Sequence, residues 1–242
     1  MERHELPETY PTTRAAIQRL ATHVLARRRA ALCGKFGLRA TPGGIGTPAC
    51  GPEHEVVRIA GTRLIREIAG PSSHTTSLEL QSATLLDAAD LVGVDLTEPF
   101  DAGHDTPPLG DPTEELALDA DAARLVHRWF DLGWAVLDSA IGALGTAAEP
   151  SVVQLWPEHF DVGCDVAAAP QRRVNIGASP GDSFCAQPYL YVGPWDDARP
   201  GDPEYWNAPF GAVLRYDTLR VASDPIGAGS DFVLRGVELL AS

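Results

Sequence analysis

Two long stretches with apolar residues at helical spacing constrain the fold of this 242-residue chain most strongly. The first predicts a helix over residues 13–33, capped by Thr12 or Thr13 and ended by Gly34. The second predicts a helix over about 120–144. Because the apolar stripe of an amphipathic helix needs a partner, we expect both helices to pack on sheets.

Short alternating apolar runs separated by turn residues predict antiparallel strands between these helices. In the first half, Ala60-Gly61 joins two such runs in a tight hairpin, and a helix over residues 82–93 follows, with Ser82 as its cap. In the second half, we expect five strands, at roughly 151–156, 158–166, 172–178, 186–192 and 211–216. A closing helix is expected near 228–240.

This order of elements predicts an α+β fold with two similar halves, each made of a helix, antiparallel strands and a helix. Residues 1–96 form the first half and residues 119–242 form the second, which carries the candidate site. Residues 97–118 are rich in Pro, Asp, Gly and Thr, which favours an exposed acidic connection. We expect the halves to form one compact unit.

The net charge of −14 is concentrated in the middle of the chain. Between Arg66 and Arg124 there is no Lys or Arg, and the interval holds thirteen Asp and Glu residues. Such a surface repels phosphate backbones, so the sequence argues against a nucleic-acid partner.

The sequence also argues against a membrane partner and an organic cofactor. No apolar run approaches the roughly 20 residues that a span needs, and no secretory signal is visible, so a cytoplasmic protein is expected. The glycine-rich loop over residues 42–48 lacks the nucleotide-binding patterns. The cysteines are widely spaced, which predicts reduced thiols rather than a structural zinc site: Cys33, Cys50, Cys164 and Cys185.

The segment Trp156-Pro157-Glu158-His159-Phe160-Asp161 is the first candidate for chemistry. On a strand, His159 and Asp161 would share one face, because side chains two apart point the same way. An imidazole beside a carboxylate is suited to acid–base catalysis. The same pair also fits a purely structural His–Asp hydrogen bond, and the sequence leaves both readings open.

Two further features lie downstream. Ser179-Pro180-Gly181-Asp182 predicts a type II turn, in which the glycine takes a positive φ and Asp182 can flank a pocket mouth. Tyr189 and Tyr191 share a strand face in a region dense in aromatic residues. Aromatic rings with polar tips line small-molecule pockets, but they also fill the cores of β-rich domains.

The motifs LWPEHFD, SPGD, PYLYVGPW and EYWNAPFGAVLRYDTL resemble a mainly actinobacterial family catalogued as a domain of unknown function. The resemblance is specific between about Val152 and Leu219. It implies the importance of this region without implying a reaction. The positions that match the family pattern are His159, Asp161, Pro180, Gly181, Asp182, Pro188, Tyr189 and Tyr191.

The sequence therefore predicts an enzyme that acts on a small polar or aromatic molecule in an aromatic-lined pocket, without an organic cofactor. His159 would be the general acid or base and Asp161 would orient it. The residues expected to contact the substrate are Trp156, Asp182, Tyr189 and Tyr191. A metal site would use His159 and Asp161 together with Glu158 or a carboxylate from elsewhere in the chain, but two nearby ligands are too few to predict a metal.

The alternative is a non-catalytic protein that binds a small molecule or another protein. In that case His159 would be buried in a structural pair with both ring nitrogens bonded, and an apolar surface patch would lie elsewhere.

Overall fold

The computed structural model describes residues 5–70 and 73–241. Its elements are α1 (Tyr10–Leu20), a π-helical segment (Ala21–Ala26), α2 (Arg27–Cys33), β1 (Arg39–Thr41), β2 (Gly44–Gly46), β3 (Val56–Ala60), β4 (Arg63–Ile68), β5 (His74–Glu79), α3 (Leu85–Val92), α4 (Ala120–Leu144), a 3₁₀ turn (Thr146–Ala148), β6 (Gln154–Trp156), β7 (Asp161–Ala169), β8 (Arg172–Ser179), β9 (Tyr189–Pro194), β10 (Ala212–Arg215), α5 (Tyr216–Leu219) and α6 (Pro225–Ala241).

The predicted α+β fold with two similar halves is confirmed. Strands β1 to β5 form one antiparallel sheet in the order of the sequence, and β6 to β10 form a second sheet with the same simple order. Each sheet follows a long helix and is followed by a helix. The hairpin predicted at Ala60-Gly61 joins β3 and β4, with Ala60 opposite Arg63.

The chain divides into two compact units. The N-terminal unit contains Leu6–Arg128 and Leu155–Phe160, within their described parts. The C-terminal unit contains Glu5, Trp129–Gln154 and the described part of Asp161–Ser242. Among the residues described, no helix is long and apolar enough to cross a membrane.

The long helices occur where the apolar periodicity predicts them, but two predicted caps are wrong. The first helix, which consists of α1, the π-helical segment and α2, begins at Tyr10. Pro11 fits its first turn, where an N–H has no intrahelical partner. The Thr13 hydroxyl instead accepts a hydrogen bond from the Asp119 N–H at 3.0 Å. Helix α3 begins after Thr84, not Ser82, because Thr84 and Asp87 form a reciprocal capping box.

Helices α4 and α6 cover one face of the sheet of the C-terminal unit, as predicted for α4. That face carries apolar side chains of β7, β8 and β9, including Val162, Ile176 and Leu190, which are fully buried. Gly133 of α4 allows the close approach, since a Cβ at this position would lie only 2.6 Å from the Cβ of Ala178. Helix α6 packs on the same sheet.

The segment 97–118 forms no helix or strand, as predicted, but it is not simply exposed. Its apolar residues Ala102, Leu116 and Leu118 are buried, although its acidic side chains face solvent. The first helix holds this segment through side chains on successive turns that bond to backbone carbonyl oxygens. The pairs are Arg27 with Glu98, His23 with Pro107, and Arg19 with Leu109.

Candidate functional site

The predicted strand over 158–166 is wrong at its start, because residues 157–160 form a turn and β7 begins at Asp161. Pro157 supplies no N–H to a strand ladder, and the Phe160 N–H bonds back to the Trp156 carbonyl at 2.7 Å. Phe160 takes a positive φ of 56°. His159 is therefore on a turn and does not share a strand face with Asp161, so that prediction is wrong.

The first helix fixes the position of this turn within the N-terminal unit. The Thr22 hydroxyl donates to the Pro157 carbonyl at 2.8 Å, and the Gln18 amide donates to the Glu158 carbonyl at 3.0 Å. Thr22 lies in the π-helical segment Ala21–Ala26. Because π-helical segments recur at functional sites, this irregularity makes the turn that it contacts a candidate for function.

The same π-helical segment holds the loop that approaches the turn. His23 Nε2 lies 2.9 Å from the Pro107 carbonyl oxygen. Burial lowers the pKa of His23, so its neutral ring donates this hydrogen bond. In the loop, Gly103 has a φ of 142°, and a Cβ there would lie 3.3 Å from Glu158 Oε1. The glycine thus lets the loop lie directly against the turn.

These contacts bring a carboxylate to His159, and it is Asp105. His159 Nδ1 lies 3.0 Å from Asp105 Oδ2, and His104 Nδ1 lies 2.9 Å from Asp105 Oδ1. We call these three residues the imidazole–carboxylate cluster. Asp105 is half exposed, as is His159 with 50% of its side chain accessible, whereas His104 is almost fully exposed.

The electrostatics of the cluster keep the carboxylate ionised. The hydrogen bond from His104 and the charge of His159 lower the pKa of Asp105. A carboxylate that accepts from Nδ1 of His159 fixes the tautomer whose Nε2 lone pair is open to a proton. The arrangement can therefore accept and return a proton at His159 Nε2.

Asp161, the predicted orienting residue, lies in the C-terminal unit and is buried. Its Oδ2 accepts a hydrogen bond from the Tyr191 hydroxyl. Tyr191 reaches from β9 across β8 to β7 because Gly177 and Gly163 leave room for its phenol. A Cβ at Gly163 would lie 2.8 Å from the Tyr191 hydroxyl oxygen.

The second tyrosine makes a parallel contact. The Tyr189 hydroxyl donates to Asp182 Oδ2, and the rings of Tyr189 and Tyr191 lie 6.4 Å apart. Burial, followed by the adjacent carboxylates, raises the pKa of both tyrosines well above the ordinary value. Both phenols are thus neutral donors, which suits them to orient the carboxylates of Asp161 and Asp182 more than to ionise.

Asp182 also has a local structural role in the predicted turn region. Its Oδ1 accepts hydrogen bonds from the N–H groups of Phe184 and Cys185, at 2.8 and 3.0 Å. Gly181 takes a positive φ of 103°, as the Pro-Gly motif predicts. The carboxylate therefore anchors the loop between β8 and β9.

The structure divides the predicted site residues into two groups. Asp161, Asp182, Tyr189 and Tyr191 come together in the C-terminal unit. Trp156 and His159 belong to the N-terminal unit, where the Trp156 ring lies 6.5 Å from that of Phe36.

Sequence reasoning missed Asp105 and His104, the two partners of His159. The signal was the adjacent His104-Asp105 dipeptide in the acidic segment. This dipeptide is a weak signal, because an acidic segment of this kind is ordinarily a solvated connection.

A cleft of about 730 Å³ lies elsewhere in the N-terminal unit, and none of the predicted site residues lines it. Within residues 5–70 and 73–241, no three His, Cys, Asp or Glu side chains are arranged to hold a metal ion. The lining of the cleft consists of Leu86, Asp90, Gly93, Val94, Asp95, Leu96, Thr97, Leu109 and Pro112.

Comparisons with protein-family models, with curated proteins and with solved structures found no match to this chain. The resemblance to the actinobacterial family therefore stays a prediction.

Proposed function

We propose that this protein is an enzyme that transfers protons to or from a small molecule, with His159 as the general acid–base and Asp105 as its orienting carboxylate. The observation that carries the proposal is the 3.0 Å contact between His159 Nδ1 and Asp105 Oδ2, on an imidazole that is half exposed. An oriented, accessible imidazole is the minimal unit for general acid–base catalysis.

The partial exposure of His159 favours this function over a structural role. A structural histidine is ordinarily buried with both ring nitrogens bonded, as polar groups in a protein interior must be. Here Nδ1 has a carboxylate partner, and half of the side chain is open to solvent.

The rigid support of the cluster also favours catalysis. Hydrogen bonds from Thr22 and Gln18 hold the turn that carries His159, and His23 holds the loop that carries Asp105. Catalytic groups need such support, because a small misplacement of a proton-transferring atom greatly lowers the rate.

The charge of the chain limits the class of substrate. The cluster lies beside the acidic segment, and the chain has a net charge of −14. Neutral or cationic small molecules are therefore favoured over phosphorylated or polyanionic ones. We propose that the reaction abstracts a proton from such a molecule and returns it, with Asp105 stabilising the imidazolium between the two steps.

The test uses solvent exchange, because exchange reveals proton transfer even when the product has not been identified. The purified protein is incubated in D₂O with a panel of neutral and cationic metabolites that contain acidic C–H bonds, and deuterium uptake is followed by NMR. We expect His159→Gln to lower the exchange rate about 100-fold or more. Asp105→Asn should lower it by a smaller factor, because the imidazole loses its orienting charge.

His104→Gln is the matched control, since a glutamine amide can still donate to Asp105 Oδ1 and His104 is almost fully exposed. Its exchange rate should stay within a few-fold of the unmodified protein. Wild-type exchange that persists in His159→Gln would contradict the proposal, as would a panel in which the unmodified protein catalyses no exchange. A large loss of thermal stability in His159→Gln would instead indicate a structural residue.

A second candidate function is non-catalytic binding of a protein partner, and one observation favours it. Phe184 and Phe210 are partly exposed in the C-terminal unit, with ring centroids 5.1 Å apart, and Trp195 is more exposed still. Exposed aromatic groups are typical of interaction surfaces. For this function, replacing Phe210 by serine would abolish partner binding while His159→Gln would leave it unchanged.

A further inference from the structure

Two free cysteines of the N-terminal unit lie next to each other, although they are far apart in the sequence. Cys33 is the last residue of α2, and Cys50 lies just after β2 and before β3. The neighbouring Leu32 and Gly51 are in contact: a Cβ at Gly51 would lie 3.6 Å from Leu32 Cδ2. The pKa of Cys50 is raised to about 11, first by burial and second by the adjacent Cys33 thiol.

Hydrogen bonds and an ion pair hold the two segments together. Cys50 and Glu55 exchange both backbone hydrogen bonds, at 3.0 and 2.9 Å, so the turn between them is closed. Glu55 in turn accepts two hydrogen bonds from Arg28 of α2, at 2.7 and 2.9 Å. The turn that carries Cys50 is thus bound to the helix that carries Cys33.

The two thiols differ in accessibility in the way that stepwise oxidation requires. Cys33 is exposed, whereas Cys50 is buried. A soluble oxidant therefore reaches Cys33 more readily than Cys50, and the oxidised Cys33 sulfur is then the reaction partner beside Cys50. Cys164 and Cys185 are both buried and belong to the other unit, so they offer no comparable first step.

We propose that Cys33 and Cys50 are an oxidation site that forms an intramolecular disulfide with a low-molecular-weight disulfide as oxidant. The Cys33 thiolate attacks one sulfur of the oxidant, the S–S bond breaks, and one small thiolate leaves. The Cys50 thiol, after giving up its proton to solvent, then attacks the Cys33 sulfur of this mixed disulfide, and the second small thiolate leaves. The two cysteines lose two protons and two electrons; the oxidant takes up the two electrons, and the protons pass through solvent to the two released thiolates.

The consequence is a covalent link between the end of α2 and the Cys50–Glu55 turn. Because the link closes the chain between residues 33 and 50 in the unfolded state, it should raise the midpoint of thermal unfolding. The proposal does not depend on the function of His159.

The experiment treats the folded protein with oxidised glutathione, blocks free thiols and digests the product with trypsin. Cleavage after Arg29, Lys35, Arg39 and Arg58 places Cys33 and Cys50 in separate peptides. We expect mass spectrometry to find these peptides joined, with thermal unfolding several degrees higher than for the reduced protein. Protein oxidised in urea is the reference, because four unfolded cysteines can pair in three ways.

Two variants complete the design. Cys50→Ser should abolish the joined peptides and leave glutathione bound to Cys33, whereas Cys185→Ser should leave the joined peptides unchanged. The proposal is overturned if the folded protein forms no more of this disulfide than the urea-unfolded protein. It is also overturned if unmodified protein accumulates glutathione on Cys33 while Cys50 stays reduced.

Discussion

Replacing Glu55 by glutamine should destabilise the N-terminal unit strongly, because this carboxylate is a buried junction between helix and sheet. Only 3% of its side chain is exposed, and it accepts bidentate hydrogen bonds from Arg28 and further bonds from Arg66 of β4. Removing one member of a buried ion pair costs about 3–5 kcal/mol. Arg28 and Arg66 are 18% and 22% exposed, so water can partly solvate their charges when the carboxylate is lost. We therefore expect the free energy of unfolding to fall by about 3 kcal/mol.

Glu67→Gln is the matched control, because Glu67 accepts a similar pair of hydrogen bonds from Arg58 at 3.2 and 3.0 Å. Its side chain is 40% exposed. Exposed ion pairs contribute at most about 1 kcal/mol, so the control should lose no more than that. Urea unfolding followed by circular dichroism measures both free energies. Equal losses in the two variants would refute the argument that burial sets the magnitude.

The effect of Glu55 should also depend on pH with a defined sign. Burial alone would raise its pKa, but the hydrogen bonds and charges of Arg28 and Arg66 lower it below the ordinary value of 4.5. A lowered folded-state pKa stabilises the fold above the unfolded value, and this contribution is lost as the pH falls. The difference between the unmodified protein and Glu55→Gln should therefore be largest at neutral pH and shrink below about pH 4.5.

Two further substitutions test the packing around the tyrosine pair. Gly177→Ala should cost about 1–3 kcal/mol of unfolding free energy, because the new methyl group would overlap the Tyr191 phenol. Gly142→Ala in α4, which has open space around it, should instead stabilise by up to about 1 kcal/mol, and a loss there would contradict the helix-propensity argument. Tyr191→Phe should cost about 2 kcal/mol, because Asp161 loses a hydrogen bond from a phenol, and an unchanged urea midpoint would show that this bond contributes nothing.

Local patterns predicted most of the elements. The apolar stripe of α4 predicted its bounds, Ala120–Leu144, because helical periodicity is a property of neighbouring residues. The hairpin at Ala60-Gly61 was also predicted correctly, because a tight turn likewise depends on neighbouring residues. The strand over 158–166 failed at its start because hydrogen bonds from a distant helix fold residues 157–160 into a turn. Alternation alone does not detect such a constraint.

The candidate site was predictable in part. The sequence alone selected His159, and it also selected Tyr189 and Tyr191 on one face of a strand. It assigned Asp161 to His159 because the two are close in the sequence. The structure places Asp105 on His159 and Tyr191 on Asp161 instead.

The sequence by itself determined the class of fold and the types of side chain available for chemistry, since periodicity and turn residues act over a few positions. Only the tertiary structure decided which carboxylate meets which partner. The first helix decides it, because Thr22 and His23 hold two distant loops that carry His159 and Asp105. Contacts between segments far apart in the chain depend on how those segments pack, and the spacing of residues in the sequence does not specify that packing.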